Sequence, residues 1–531
     1  MSVTDAGAAA GPPTDTIPWL GLTAVLLGTF ISTLTGRLSS YGLADIEGAV
    51  HAGFDQGAWI ITAQTTAQML VTPFAVWAGT IYGPRQILLP ACWVFAIAEL
   101  TLPLSPNLST LLALQFVSGL GSGCFIPLTL PFVLRRMPQR LWTYAIALYG
   151  MNLDLSIHVA ASLEGWYVDH GLWHWIFWQN VPLAIAMATC LHLGIRFPSM
   201  PAARSSVDAF GLCAYGVGLA LIYAALDQGN RLDWLNSGLV RGLILGGLVL
   251  LVAFYIHDRG NPNSWLNLRV ALTHPLPILF VLIMMLRASL LSTAFLVPQF
   301  LGNVRGFRDL QIGDALVWVA LPQLLLFPLA GFLLRFVDPR HGAGIGFCCI
   351  TAACLLVAYG LTPLWGSDQF LPSQLLQAVG QSLALTGVVF TGIVNMRTES
   401  ALTFGAMLQT ARLFGGELGQ AFTTTFQRIR EQRASNLIGL HVQIGNERVI
   451  QRLQRYGHVV AGATGADAHA AAVTLLSRVV RSLATTQSVI DSYMALAAAA
   501  LAGLLCLALL NAPPAAHSLD RSLPRRFLGG S

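Results

Sequence analysis

An aspartate and a histidine stand one helical turn apart in MNLDLSIHVAASLEGW (151–166), a stretch otherwise suited to lipid, and Glu164 follows near its end. A carboxylate and an imidazole at i and i+4 can share a hydrogen bond, and burial with pairing can bring either group into the range where a proton gradient changes its charge. At about 100° per residue, Thr143, Ala147, Gly150, Asp154, His158, Ala161 and Gly165 share one stripe, while Leu148, Leu153, Leu155, Val159 and Leu163 point elsewhere. A stripe of small residues suits close helix packing or the wall of a water-filled passage. A charge at mid-bilayer costs at least ~2.5–3.5 kcal/mol, so Asp154 and His158 are read as proton carriers. The competing reading is a fixed Asp–His bond that locks two helices together.

Other charged residues interrupt apolar runs. Arg412 lies in QTARLFGGELG beside Gly415, Gly416 and Glu417, and suits pairing with an anion, or a buried Arg–Glu bond. Arg287, in FVLIMMLRASLLS, has no local acid and needs an acidic side chain or an anionic substrate as partner. Arg37 is a cavity candidate that can also snorkel to the interface. Glu164 is placed at an outer mouth, and Glu99 is a further acid on the third span.

These residues belong to a polytopic membrane protein. Of 531 residues, 55% are hydrophobic and only 10% charged, against about 25% charged in soluble domains. All 29 basic residues are Arg. The eight cysteines fall in apolar stretches without metal-binding or redox spacing. The N-terminus lacks a basic region before an apolar core, so no signal peptide is expected. Stretches long enough to cross lipid predict fourteen spans, near 17–38, 58–80, 86–105, 109–133, 141–163, 175–195, 208–226, 239–256, 275–300, 312–334, 343–364, 374–395, 402–425 and 490–510.

Arginine distribution orients them. With the N-terminus inside, the inner segments hold Arg85, Arg135, Arg136, Arg140, Arg196, Arg204, Arg259, Arg269, Arg335, Arg340, Arg397, Arg521, Arg525 and Arg526. The short outer loops hold only Arg231, Arg241, Arg305 and Arg308. Both tails, 1–16 and 511–531, are therefore expected in the cytoplasm. Residues 426–489 carry eight Arg and helical apolar spacing, and are expected to form an outer helical hairpin, either a docking surface or a solvated connector. Ala78-Gly79 with Pro84-Arg85 is echoed by Ala330-Gly331 with Pro339-Arg340, a faint sign of the duplicated halves found in alternating-access transporters.

Several segments, in order, carry a family resemblance: GAWIITAQTTAQMLVTPFAVWAG, HWIFWQNVP (174–182), LDQGNRLDWLNS (226–237) and QTARLFGGELG (409–419). With these the chain resembles the fourteen-helix drug:proton antiporters of the major facilitator superfamily, the EmrB/QacA type. The resemblance implies an all-α membrane fold with two six-helix bundles, 17–195 and 275–510, and two inserted helices, 208–256. It also implies export of small amphiphilic or anionic compounds from the cytoplasm across the inner membrane, driven by protons, and in some cells work with a membrane-fusion adaptor and an outer-membrane channel.

Departures are equally specific. Thr35 stands at the family's helix-one acid, with Arg37 two positions on, and the helix-four Arg is absent. The helix-five Gly-Pro signature becomes Ala160-Ala161-Ser162-Leu163-Glu164-Gly165. Of the cytoplasmic gate loop only Gly79, Gly83 and Arg85 survive. A dedicated exporter of one endogenous organic anion, such as a siderophore-like metabolite, is the second reading. A membrane enzyme or sensor on the same scaffold is the third, although no phosphate loop, metal cluster or nucleophile elbow is present. No cofactor and no nucleic-acid partner are expected.

Overall fold

A computed structural model describes residues 19–129, 141–194, 208–261, 265–266, 276–394, 401–443, 445–464 and 468–510. The two tails lie outside these residues, as do Arg135, Arg136, Arg140, Arg196, Arg204, Arg269, Arg397, Arg521, Arg525 and Arg526. Fifteen helices are numbered here. The first six are α1 Trp19–Tyr41, α2 Trp59–Ile81, α3 Pro84–Thr101, α4 Leu108–Ser122, α5 Trp142–Asp169 and α6 Asn180–Gly194. The inserted pair is α7 Ala209–Gly229 and α8 Gly238–Gly260. Then come α9 Leu276–Ser289, α10 Asp309–Leu333, α11 Pro339–Gly360, α12 Ser367–Val394, α13 Ala401–Gly439, α14 Glu447–Thr464 and α15 Ala468–Ala508.

Twelve of the described helical segments are long and apolar enough to cross a membrane. The two expected spans missing from that set are α2 and α13, and both nevertheless pack inside the assembly, α2 against α4 and α7, α13 against α9 and α15. Their low hydropathy has a physical cause: α2 turns Thr62, Gln64, Gln68 and Thr72 inward, and α13 buries Gln409, Arg412, Glu417 and Thr423. The polar helices are those facing other protein instead of lipid. Conversely α8, which packs mainly on α7, leaves Leu245, Val249, Val252 and Ile256 exposed for acyl chains.

The first half packs α1 on α5 and α6, α3 on α4 and α6, and α2 on α4; the second packs α11 on α12 and α15, and α9 on α13 and α15. Two seams join the halves. Along one, α5 runs against α10 and α12; along the other, α2 meets α13, with α7 touching both. The α5–α10 seam is close because small residues alternate across it. A methyl added at Gly331 would lie 2.9 Å from Ala147 Cβ, one at Gly313 would lie 2.9 Å from Ser162 Cα, and one at Gly165 would lie 2.3 Å from the Leu310 nitrogen.

The sequence echo has a structural counterpart. Pro84-Arg85 opens α3 and Pro339-Arg340 opens α11. Arg85 donates to the His192 carbonyl at 2.9 Å near the end of α6, and Arg340 donates to the Leu510 carbonyl at 2.7 Å just past α15. Each half therefore ties the start of its third helix to the end of its last. Gly83 supplies the turn, at φ +89°, a conformation that a Cβ disfavours.

Spans five, nine, thirteen and fourteen differ from expectation. Span five continues to Asp169, and α9 breaks after Ser289 and again at Phe295, into Leu291–Ala294 and Leu296–Asn303. Pro298, having no N–H, cannot bond the Ala294 carbonyl, which accounts for the second break. Residues 426–489 are not a free-standing hairpin: α13 runs unbroken for 39 residues and α15 for 41. At 1.5 Å per residue α13 is about 58 Å long, so nearly half of it projects beyond a hydrocarbon layer of about 30 Å. The amphipathic α14 packs on the projecting part of α15.

Candidate functional site

Asp154 and His158 are both fully buried in the α5–α10 seam. Their side chains do not share the expected hydrogen bond, since Asp154 Oδ1 and His158 Nδ1 are 3.9 Å apart. The imidazole instead turns onto its own helix, and Nδ1–H donates to the Asp154 carbonyl at 2.9 Å. That choice sets the tautomer, because a carbonyl can only accept, and leaves Nε2 facing Thr293 Oγ1 at 2.9 Å. Gln323 Nε2 donates to Asp154 Oδ2 at 2.6 Å and to Gln381 Oε1 at 3.0 Å, while Gln381 Nε2 donates to Thr293 Oγ1 at 3.1 Å.

The result is a closed ring: Asp154, Gln323, Gln381, Thr293, His158 and back to Asp154 through the backbone. Its two ionisable members come from the first half and its three neutral members from the second. Thr293 suits either charge state of the imidazole. Its hydroxyl can donate to a neutral Nε2; with Nε2 protonated it can accept there and turn its own proton to the Leu290 carbonyl, 3.1 Å away. Asp154 Oδ1 has no hydrogen-bond partner among the described residues.

Beside this ring, on the side of the second seam, lies a cavity of about 150 Å³ whose wall includes Arg37, Arg287, Arg412, Tyr223, Asp227 and Glu417. The structure thus brings together the four candidates Arg37, Arg287, Arg412 and Glu417, and leaves Asp154 and His158 outside the wall. Arg37 is half-buried on that wall. Arg412 Nε donates to Gln409 Oε1 at 3.1 Å and Nη1 to Thr33 Oγ1 at 3.3 Å, so an Arg412–Glu417 bond is not what holds this helix. Glu417 instead meets the Tyr223 hydroxyl. Arg287 Nε and Nη1 and Arg412 Nη2 are buried without acceptors among the described residues. Guanidinium donors that face a cavity fit a carboxylate or phosphate geometrically.

Three further placements complete the candidates. Glu164 is 1% exposed at the end of the α5–α10 seam away from Arg85 and Arg340. Gly79 packs against Leu128, and Arg85 remains within its own half on α6. Glu99 is satisfied inside the first half, accepting from Ser118 Oγ at 2.6 Å and Asn180 Nδ2 at 2.9 Å.

Sequence reasoning missed Gln323, Gln381 and Thr293, and also Tyr223 and Asp227 of the inserted α7. A signal existed for the amides: Gln374, Gln377 and Gln381 stand at helical spacing on α12, and Gln323 is a lone amide in an apolar run. Asp227 fell within a segment read as loop. It is helical, accepts from Thr62 Oγ1, and also accepts from Gln228 Nε2 at 3.1 Å.

Two helical halves, each tied in the same way, enclosing a charged cavity beside a buried ionisable ring, define a membrane transporter fold. The comparison with known proteins makes the class definite: residues 25–420 match the Major Facilitator Superfamily, and the chain belongs to it. It is 24% identical over 411 residues to the multidrug export protein EmrB of Escherichia coli K12, covering 77% of this chain and 80% of that one. It is 23% identical over 423 residues to the fatty acid resistance protein FarB of Neisseria gonorrhoeae, covering 78% and 82%. Among solved structures, the proton:xylose symporter XylE superposes with a TM-score of 0.58 at 9% identity, over 92% of this chain and 94% of that chain. The protein is thus a multi-pass membrane transporter related to multidrug efflux proteins, and not an enzyme.

Proposed function

We propose that the protein is a proton-coupled exporter of small amphiphilic or anionic compounds across the cytoplasmic membrane, with both termini inside. The observation that carries this reading is the adjacency of the Asp154–His158 ring to a cavity with unfilled Arg287 and Arg412 donors. Asp154 and His158 act as the proton carriers. Charge change at either one redraws hydrogen bonds that span the two halves, so protonation and the relative position of the halves are coupled. Arg287, Arg412 and Arg37 receive the anionic group of the substrate, and Glu417 balances them when the cavity is empty. Gly79, Gly83 and Arg85 hold the cytoplasmic turn of the first half while the seams open and close. In reconstituted protein, Asp154→Asn is expected to abolish gradient-driven export while substrate binding persists; undiminished export by that variant would overturn the carrier role.

The second reading, a dedicated exporter of one endogenous organic anion, draws on the same unfilled donors and on FarB, whose name refers to fatty acids, themselves amphiphilic anions. A deletion strain separates the two: sensitivity to many unrelated drugs fits the first, accumulation of a single metabolite the second. We further read the outer unit formed by α14 and the projecting ends of α13 and α15 as the surface for a membrane-fusion adaptor that leads to an outer-membrane channel. An apolar groove there, lined by Val449, Leu453, Val473 and Leu476 together with His458 and His469, supports that reading.

A further inference from the structure

Apart from the Asp154 ring, one ionisable group stands buried at the seam without a conventional partner. Glu164, on the last turns of α5, is 1% exposed, and its Oε2 has no donor among the described residues. What it meets across the seam is another carboxyl group, that of Asp309, the first residue of α10, within hydrogen-bonding reach. The two backbones lie close together here. Gly165 lies so close to α10 that a methyl there would be 2.3 Å from the Leu310 nitrogen, and one at Gly313 would be 2.3 Å from Ser162 Oγ. The facing groups are the Tyr41 phenol on α1, Asp45 on the short helix Leu43–Ala49, and Asp169 on α5 itself. The neighbouring cation, Arg308, is 84% exposed and points at Asp169, 3.8 Å away, instead of at Glu164.

We propose that Glu164 and Asp309 bind one proton between them, forming a second proton site that exists only while α5 and α10 are joined at this end. Two carboxylates in contact, Glu164 buried and Asp309 half-buried, disfavour carrying charge together, whereas an acid and a carboxylate form a short, strong O–H···O⁻ bond. The balance is simple. Joining the ends takes up one proton, and parting them returns two ordinary water-exposed carboxylates and releases it. By linkage, the equilibrium for parting this end then rises up to tenfold per pH unit across the range where the pair titrates. The site lies at the end away from Arg85 and Arg340. It depends on alternating access in this family, and on neither the role of Asp154 nor the direction of transport.

The test uses full-length protein in nanodiscs and hydrogen exchange of segments 160–169 and 304–312, reported as protection factors between about pH 5.5 and 8.5, the range in which side-chain charge most often switches. Wild type is expected to lose protection as pH rises, up to tenfold per unit. Glu164→Gln and Asp309→Asn each replace the proton with amide hydrogens, and are expected to remain protected with no pH slope. Asp45→Asn, which removes a neighbouring acid and not the shared contact, is expected to keep the wild-type slope. Infrared difference spectra check the chemistry: the protonated-carboxyl band at low pH is expected to shrink in both Glu164→Gln and Asp309→Asn and to persist in Asp154→Asn. Equal pH slopes in wild type and both pair variants, loss of the slope in Asp45→Asn, or an unchanged carboxyl band would overturn the proposal.

Discussion

At the scale of single residues, the Asp154 ring ties charge to conformation through neutral amides. Removing Gln323 takes from a buried carboxylate the one donor it has among the described residues, which costs roughly 1–3 kcal/mol. Gln323→Leu is therefore expected to lower the melting temperature in detergent, and Asp154→Asn combined with it to show a coupling of about 0.5–3 kcal/mol in a double-mutant cycle; additive effects would mean that the 2.6 Å contact is not an energetic one. Asp338 offers a pH test in a loop. Burial disfavours its charge, but the Arg340 N–H groups and His341 outweigh that and hold its carboxyl below the ordinary range. A depressed carboxyl contributes stability above its unfolded pKa and loses it as pH falls through the folded value. The stability difference between wild type and Asp338→Asn is thus expected at neutral pH and to vanish in strong acid, read by thermal melts across pH. Both charged members of the ring were legible in the sequence, because a charge inside an apolar span is conspicuous. The orientation of His158 was not, since a choice between the Asp154 side chain and its own backbone carbonyl is settled by packing.

Among helices, the seam between α5 and α10 depends on residues with little or no side chain. Gly313→Val places a branched group where a Cβ would already sit 2.3 Å from Ser162 Oγ. Overpacking of this kind costs about 1–3 kcal/mol, and because it acts on only one arrangement of the halves, the variant is expected to retain its fold and lose transport. Circular dichroism together with proteoliposome flux checks both parts. The stripe Ala147, Gly150, Asp154, His158, Ala161 and Gly165 marked this face in advance, through helical periodicity alone. The partner helix was not legible, because periodicity identifies a face and not what covers it. The break in α9 was similarly hidden within one apolar run, with Pro298 its only trace.

For the whole molecule, fourteen apolar or half-apolar stretches conveyed the architecture, and the two of them that fall outside the twelve most apolar spans, α2 and α13, proved to be the ones at the second seam. The projecting unit was legible as helical and basic but not as the continuation of α13 and α15, because loss of hydropathy marks the edge of lipid and not the end of a helix. Excising residues 440–467 and joining the projecting ends by a short flexible linker is expected to leave flux in proteoliposomes near wild type while abolishing protection of whole cells. Equal loss in both assays would place the unit within the transport step itself.

The continuity of α13 and α15 carries a mechanical consequence. Both rise from the second half, so the projecting unit moves chiefly with that half, with Trp234 Nε1–H donating to Thr425 Oγ1 and Arg428 pairing with Asp233 as its ties to the loop between the inserted helices. A tilt of 10° would sweep the tip of an arm of about 28 Å, the length left after lipid is crossed, through about 5 Å. Whatever grips the tip is moved once per cycle, like a load on a crank.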